Sequence, residues 1–137
     1  MSDERADGLI EKGKSHMYDE LVDDQNSLFF GSNKTDVFMA AASVGYFFKK
    51  SSPVKEAQSL FVSTTLGRDK EKIWLMKSIA LSQRGISVLK SMREVVKICQ
   101  EFANEGIDKL YEIHKTSENE ISDIVAIMVE ALDSLIE

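Results

Sequence analysis

The chain has 137 residues, 43% of them hydrophobic and 29% charged, enough to bury one core without staples. Its single cysteine, Cys99, excludes an intramolecular disulfide framework. The net charge of −6 speaks against a nucleic-acid partner for the molecule as a whole, but the charge is unevenly spread.

Residues 1–33 carry three Lys/Arg against eight Asp/Glu, residues 34–97 twelve against five, and residues 98–137 two against ten. Two readings follow. Either the acidic flanks pack on the middle and neutralise it, or the middle presents a basic face to an anionic partner such as DNA, RNA or an acidic protein. One proline and seven glycines are few chain breakers, which favours long helices over many short strands.

The start, "MSDERADG", is acidic and polar, unlike a signal peptide. A cytoplasmic location is therefore expected, and the Asn33-Lys34-Thr35 sequon is read as fortuitous. Residues 4–22 place Leu9, Ile10, Met17, Leu21 and Val22 on one stripe, with Gly13 on the same side, which predicts a helix. Residues 23–27, "DDQNS", read as a loop, and Leu28, Phe29 and Phe30 as its anchor on the core. Thus residues 1–27 are expected to form an N-terminal helix and loop, and residues 28–137 the core of a single domain.

Ser32, Asn33 and Thr35 are candidate caps for the next helix, with Asp36 at its positive end. From Val37 to Phe48 only Ser43 and Gly45 interrupt an apolar run. Such a helix has no polar face, so it must be covered on nearly all sides; it is too short to span a bilayer. It predicts a central helix over 35–49, or one shared between two subunits. "GSNKT" is not a phosphate loop, because Asn33 stands where that motif needs a glycine before the lysine.

Ser52 and Pro53 suit a helix start, predicting a short helix over 53–60. "LFVSTTLG", 60–67, is the one plausible strand, expected as an extended loop or a minor pair, with Gly67 ending it. Asp69 caps the following helix, whose apolar side is Ile73, Trp74, Met76, Ile79, Ala80 and Leu81, and Gly85 closes it. Residues 86–114 form the longest periodic run; Gly106 marks a kink, a split or a close approach. Ser117 and Glu120 form a capping box opening a last helix, whose stripe Ile121, Val125, Met128, Leu132 and Leu135 is expected to be mostly buried or paired with another chain. The fold class is therefore all-α, a bundle of five to six helices with at most a minor strand pair.

Little catalytic chemistry is visible. Cys99 lies on an apolar stripe, His16 and His114 sit in no motif, and Glu101/Glu105 lack a Glu-x-x-His companion, so no cofactor and no metal is expected. Candidate contacts to a nucleic-acid backbone are Lys49, Lys50, Lys55, Arg68, Lys70, Lys72 and Lys77.

Two segments carry a resemblance: "TDVFMAAASVGYFFKKSSPVKEA", 35–57, and "IALSQRGISVLKSMREVVKICQEFANEGIDKL", 79–110. Through Asp36, Val37, Ala41, Ala42, Gly45, Tyr46, Ala80, Glu101, Phe102, Ala103, Asn104 and Gly106, residues 28–113 resemble the family called DNA phosphorothioation-associated protein 4. The family pattern has a second glycine where this chain has Glu105. The resemblance implies proximity to systems that mark DNA with sulfur and restrict unmarked DNA, and it implies no catalytic activity. Two functions are therefore carried forward. One is a non-catalytic accessory protein, touching protein components of such a system or the DNA backbone. The other is a homodimeric helical adaptor. A membrane role is not expected.

Overall fold

In a computed structural model that describes residues 6–62, 69–116 and 120–136, five α-helices surround a core and a two-stranded antiparallel sheet flanks it. The elements are β1 (Asp7–Glu11), α1 (Ser15–Asp23), α2 (Lys34–Phe48), β2 (Ala57–Val62), α3 (Lys70–Arg84), α4 (Met92–Thr116) and α5 (Glu120–Ile136). The mostly helical single domain expected from the sequence is what the chain forms, minor strand pair included. No helix among the described residues is long and apolar enough to cross a membrane.

Helix α2 is central. Of the three candidate caps, Asn33 does the work: its side chain accepts from the Asp36 amide at 2.9 Å, and the Asp36 carboxylate accepts from the Asn33 amide at 3.4 Å. The helix ends at Lys49, whose left-handed backbone (φ 57°) lets the Lys49 and Lys50 amides reach the Tyr46 and Gly45 carbonyls. Between these ends Val37, Phe38, Met39, Ala41, Ala42, Val44 and Gly45 are buried, as a helix with no polar face requires.

Its main partner is α4, which runs antiparallel to it. A methyl group built on Gly45 would overlap the Phe102 carbonyl, and one on Gly106 would overlap the Ala41 carbonyl. Gly106 is therefore a point of backbone-to-backbone approach, and α4 passes through it without a break. Phe102 sets its ring edge-on to Tyr46 beside this crossing, with centroids 5.8 Å apart.

Two predicted helices are corrected. The helix predicted over 4–22 is a strand, β1, followed by a single 3-10 turn and a shorter helix. Gly8 and Ile10 face inward with a period of two, and Gly8 lies flush beneath the Phe61 ring, where any Cβ would overlap it. The short helix predicted over 53–60 does not form. The Ser52 amide donates to the Glu101 carbonyl at 3.1 Å and its hydroxyl to Glu105 at 2.7 Å, so Ser52 is bound to α4 rather than capping. Downstream, the Lys55 and Glu56 amides donate to the Glu11 carboxylate at 2.9 and 2.8 Å, feeding residues 57–62 into the sheet.

On α5, where the stripe was expected to be buried or paired with another chain, the Ile121, Leu132 and Leu135 side chains lie outside the described residues. Val125, Met128 and Val129 are exposed, while Ile124 packs against the core. In the anchor loop, Phe29 packs inward but Leu28 and Phe30 are exposed. The expected ends of α3 are found. Asp69 caps α3, accepting from the Lys72 amide at 3.2 Å, and Gly85 ends it at φ 82°. The 86–114 run opens as a 3-10 turn, and the Ser91 hydroxyl then accepts from the Glu94 amide to start α4. Gly67 and the Ser117 half of the capping box lie outside the described residues.

Candidate interaction surface

Helix α3 lies parallel to α2. Near their starts Lys72 pairs with Asp36 at 3.0 Å; near their ends the Tyr46 and Ser82 hydroxyls are hydrogen-bonded at 2.7 Å. This frame decides what the predicted cations can do. At about 1.5 Å per residue, Lys49 lies roughly 20 Å beyond the level of Asp36. Lys49 and Lys50 thus sit at one end of the helix pair and Lys70 and Lys72 at the other.

The seven predicted residues do not form one patch. Lys72 is clamped between Asp69 (2.7 Å) and Asp36, and these two carboxylates hold its ammonium above the ordinary lysine range. It is a structural cation. Lys50 is exposed and, with Lys109, lines a hollow of about 220 Å³ between α2 and α4 that also holds Glu105, Asp108 and Glu112, so carboxylates outnumber cations there. Lys49 is exposed at the end of α2, and Lys55 is exposed on the link that feeds β2. Arg68 lies outside the described residues.

Lys70 and Lys77 come together with Arg84, which was not among the candidates. At seven-residue spacing the three follow one edge of α3 for roughly 21 Å. Arg84 is ion-paired to Glu94 at 3.5 Å, while Lys70 and Lys77 make no ion pair among the described residues. Beside this ridge stand Trp74, 67% exposed, and Leu81, 42% exposed. Both were expected on the apolar side of α3. The buried side is set instead by Met76, Ile79 and Ala80, and Trp74, two residues before Met76, is turned about 200° away. The 70/77/84 and 74/81 spacings were legible in the sequence. What was not legible was which side of the helix faces the core.

Other groups have quieter roles. The Cys99 thiol is buried, donates to the Met76 carbonyl at 3.5 Å, and is pushed by burial to a pKa of about 12, so it is no nucleophile at neutral pH. The Asn104 side-chain amide donates to the Ser52 hydroxyl at 3.0 Å and to the Pro53 carbonyl at 3.3 Å, latching the link after α2 onto α4. Glu105, where the resembling pattern has glycine, completes that latch through Ser52 rather than facing only solvent.

A second cluster, missed in the sequence, joins the end of α1 to the end of α4. His114 Nε2 lies 3.0 Å from Asp24 Oδ2 and 3.5 Å from Glu20 Oε2. The Tyr111 hydroxyl donates to Glu20 Oε1 at 3.1 Å, and Lys115 pairs with Glu20. The Lys115 ammonium holds the Glu20 carboxyl below its ordinary range, and Glu20 in turn raises Lys115. Asp24 is lowered first by the Asn26 amide and then by His114. Some ninety residues separate the two halves of the cluster, so no local pattern could announce it.

Of the twelve residues through which the sequence resembled a known family, Ala41, Gly45, Tyr46, Phe102, Asn104 and Gly106 build the α2–α4 crossing and its latch, while Asp36 pairs with Lys72 and Ala80 lies on α3. The model of the family described as DNA sulphur modification system-associated protein 4 matches residues 10–135. No curated protein and no solved structure matches the chain. The match spans nearly the whole chain and widens the resemblance read from residues 28–113: the protein belongs to the DNA sulphur modification system-associated protein 4 family.

Proposed function

We propose that the protein is a non-catalytic, cytoplasmic accessory component of a DNA sulphur-modification system, and that it docks through the outward face of α3 onto an acidic surface of another protein of that system. The observation that carries this reading is Trp74, 67% exposed, set beside Leu81 and flanked by Lys70, Lys77 and Arg84. A protruding indole next to an aliphatic side chain is what the desolvated centre of a protein interface is enriched in. The cations at its edge would steer an acidic partner and fix its orientation.

Contact with the DNA backbone uses the same cations but leaves Trp74 and Leu81 in water. Backbone contact would also recruit Lys49, Lys50 and Lys55, which lie off this face. The test is to purify each protein of the accompanying modification system and titrate it against the chain and its Trp74→Ala variant. Loss of binding in the variant supports the reading. Equal binding by both overturns it. Salt-sensitive duplex-DNA binding lost in Lys49→Glu/Lys50→Glu would instead favour backbone contact.

A second reading rests on α5, where Val125, Met128 and Val129 form an exposed apolar strip. A second copy covering that strip would give a homodimeric adaptor. Light scattering distinguishes the two: a monomer that still binds its partner removes the adaptor reading.

A further inference from the structure

We propose that Glu20, Asp24 and His114 form a site for a divalent transition cation of the zinc, cobalt or manganese class. One oxygen or nitrogen from each residue lies within 4.8 Å of the others. Two of the separations are 3.0 and 3.5 Å. An ion bound at about 2.1 Å from each atom requires ligand–ligand separations of about 3.0 Å at right angles and 3.4 Å at the tetrahedral angle. Two of the three separations therefore match edges of a coordination polyhedron, and the third, between the two carboxylates, is bounded at 4.8 Å.

A second observation is independent of those distances. Each carboxylate has its outward oxygen held by a separate donor: Glu20 Oε1 by the Tyr111 hydroxyl at 3.1 Å, and Asp24 Oδ1 by the Asn26 amide at 2.9 Å. This leaves Glu20 Oε2 and Asp24 Oδ2 turned toward the same imidazole nitrogen. Such outer partners are what orient ligating carboxylates in metal sites. The His114 side chain is only 4% exposed and so is held in place; the Glu20 and Asp24 side chains are 29% and 33% exposed, although the Glu20 Oε2 atom itself is buried. One imidazole with two carboxylates suits borderline cations better than calcium or magnesium, which prefer oxygen alone.

The competing occupant is Lys115. Its ammonium pairs with Glu20 Oε2, and its side chain is 49% exposed, so it can swing into solvent. Lys115 thus holds one of the three ligand atoms, and an ion at the cluster would have to displace it from Glu20 Oε2. This separates a metal site from a simple ion-pair clamp, because removing the lysine should help the former and only weaken the latter.

The test uses the tag-free full chain, titrated by calorimetry with zinc chloride and followed with cobalt chloride in visible absorption. One ion per chain is expected. His114→Ala and Asp24→Asn should each weaken binding at least about tenfold, and Lys115→Met should tighten it about tenfold. Far-UV circular dichroism checks each variant's fold; if His114→Ala fails to fold, Asp24→Asn carries the test. Absence of zinc, cobalt or manganese binding at about 1 mM overturns the site. So does binding that survives both ligand substitutions, or binding that Lys115→Met leaves unchanged or weakens.

Discussion

The α2–α4 crossing and the outward face of α3 lie on neighbouring helices and obey opposite rules. At the crossing, Gly45 and Gly106 let two backbones touch, and every side chain nearby is chosen to leave room or fill it. On the α3 face a tryptophan and a leucine stand in water beside three cations. The residues that mark the family are concentrated in the first region. The chemistry available to a partner is concentrated in the second. Family membership therefore reports how this chain folds more directly than what it touches.

The comparison can be broken at its rigid side first. Gly106→Ala should be the most damaging single substitution, because the new methyl meets the Ala41 carbonyl and neither backbone can yield cheaply. A loss of about 3 kcal/mol or more, or failure to fold, is expected in urea denaturation. Asn104→Ala should cost about 2 kcal/mol, since it leaves the Ser52 hydroxyl and the Pro53 carbonyl without their donor. Its partner binding, measured as for Trp74→Ala, should be unchanged once the protein is folded.

A smaller effect concerns pH. Asp69 is held below the ordinary carboxylate range, chiefly by Lys72. A carboxyl lowered in the folded state contributes stability that is present above its unfolded value, about 4, and is lost as the pH falls through the lowered folded value. The urea midpoint should therefore fall in acid. Asp69→Asn keeps a good cap but removes the charge, so it should lower the midpoint slightly at pH 7 and flatten the acid limb. An unchanged acid limb would dissociate Asp69 from Lys72. The smallest expected effect on stability is at Trp74: Trp74→Ala should shift the unfolding free energy by less than about 0.5 kcal/mol. A cost of several kcal/mol would mean that the indole is covered and the two regions are not distinct.

The sequence made the crossing legible because its signals are local. An apolar run without a polar face, a cap at Asn33 and Gly106 within a periodic stripe each speak for themselves. The sheet was hidden because Leu9 and Ile10 fit a helix as well as a strand, and the partner that decides lies some fifty residues away. The candidate site was half visible. Lys70 and Lys77 were named, but Lys72 could not be separated from them until Asp36 was seen beside it. Trp74 was placed on the wrong side because α3 is apolar over more of its circumference than the core covers. Glu20, Asp24 and His114 could not be assembled from sequence at all, since the approach of α1 to the end of α4 is set by the packing of the whole bundle.

Trp74 is the chain's single tryptophan, so its fluorescence reports the α3 face without interference. Free protein should show a red, water-like emission that acrylamide quenches freely, and adding the cognate modification protein should shift it to the blue and protect it. A blue, protected emission from the monomer alone, or a red one unchanged in the complex, would contradict a face that stands open until a partner covers it.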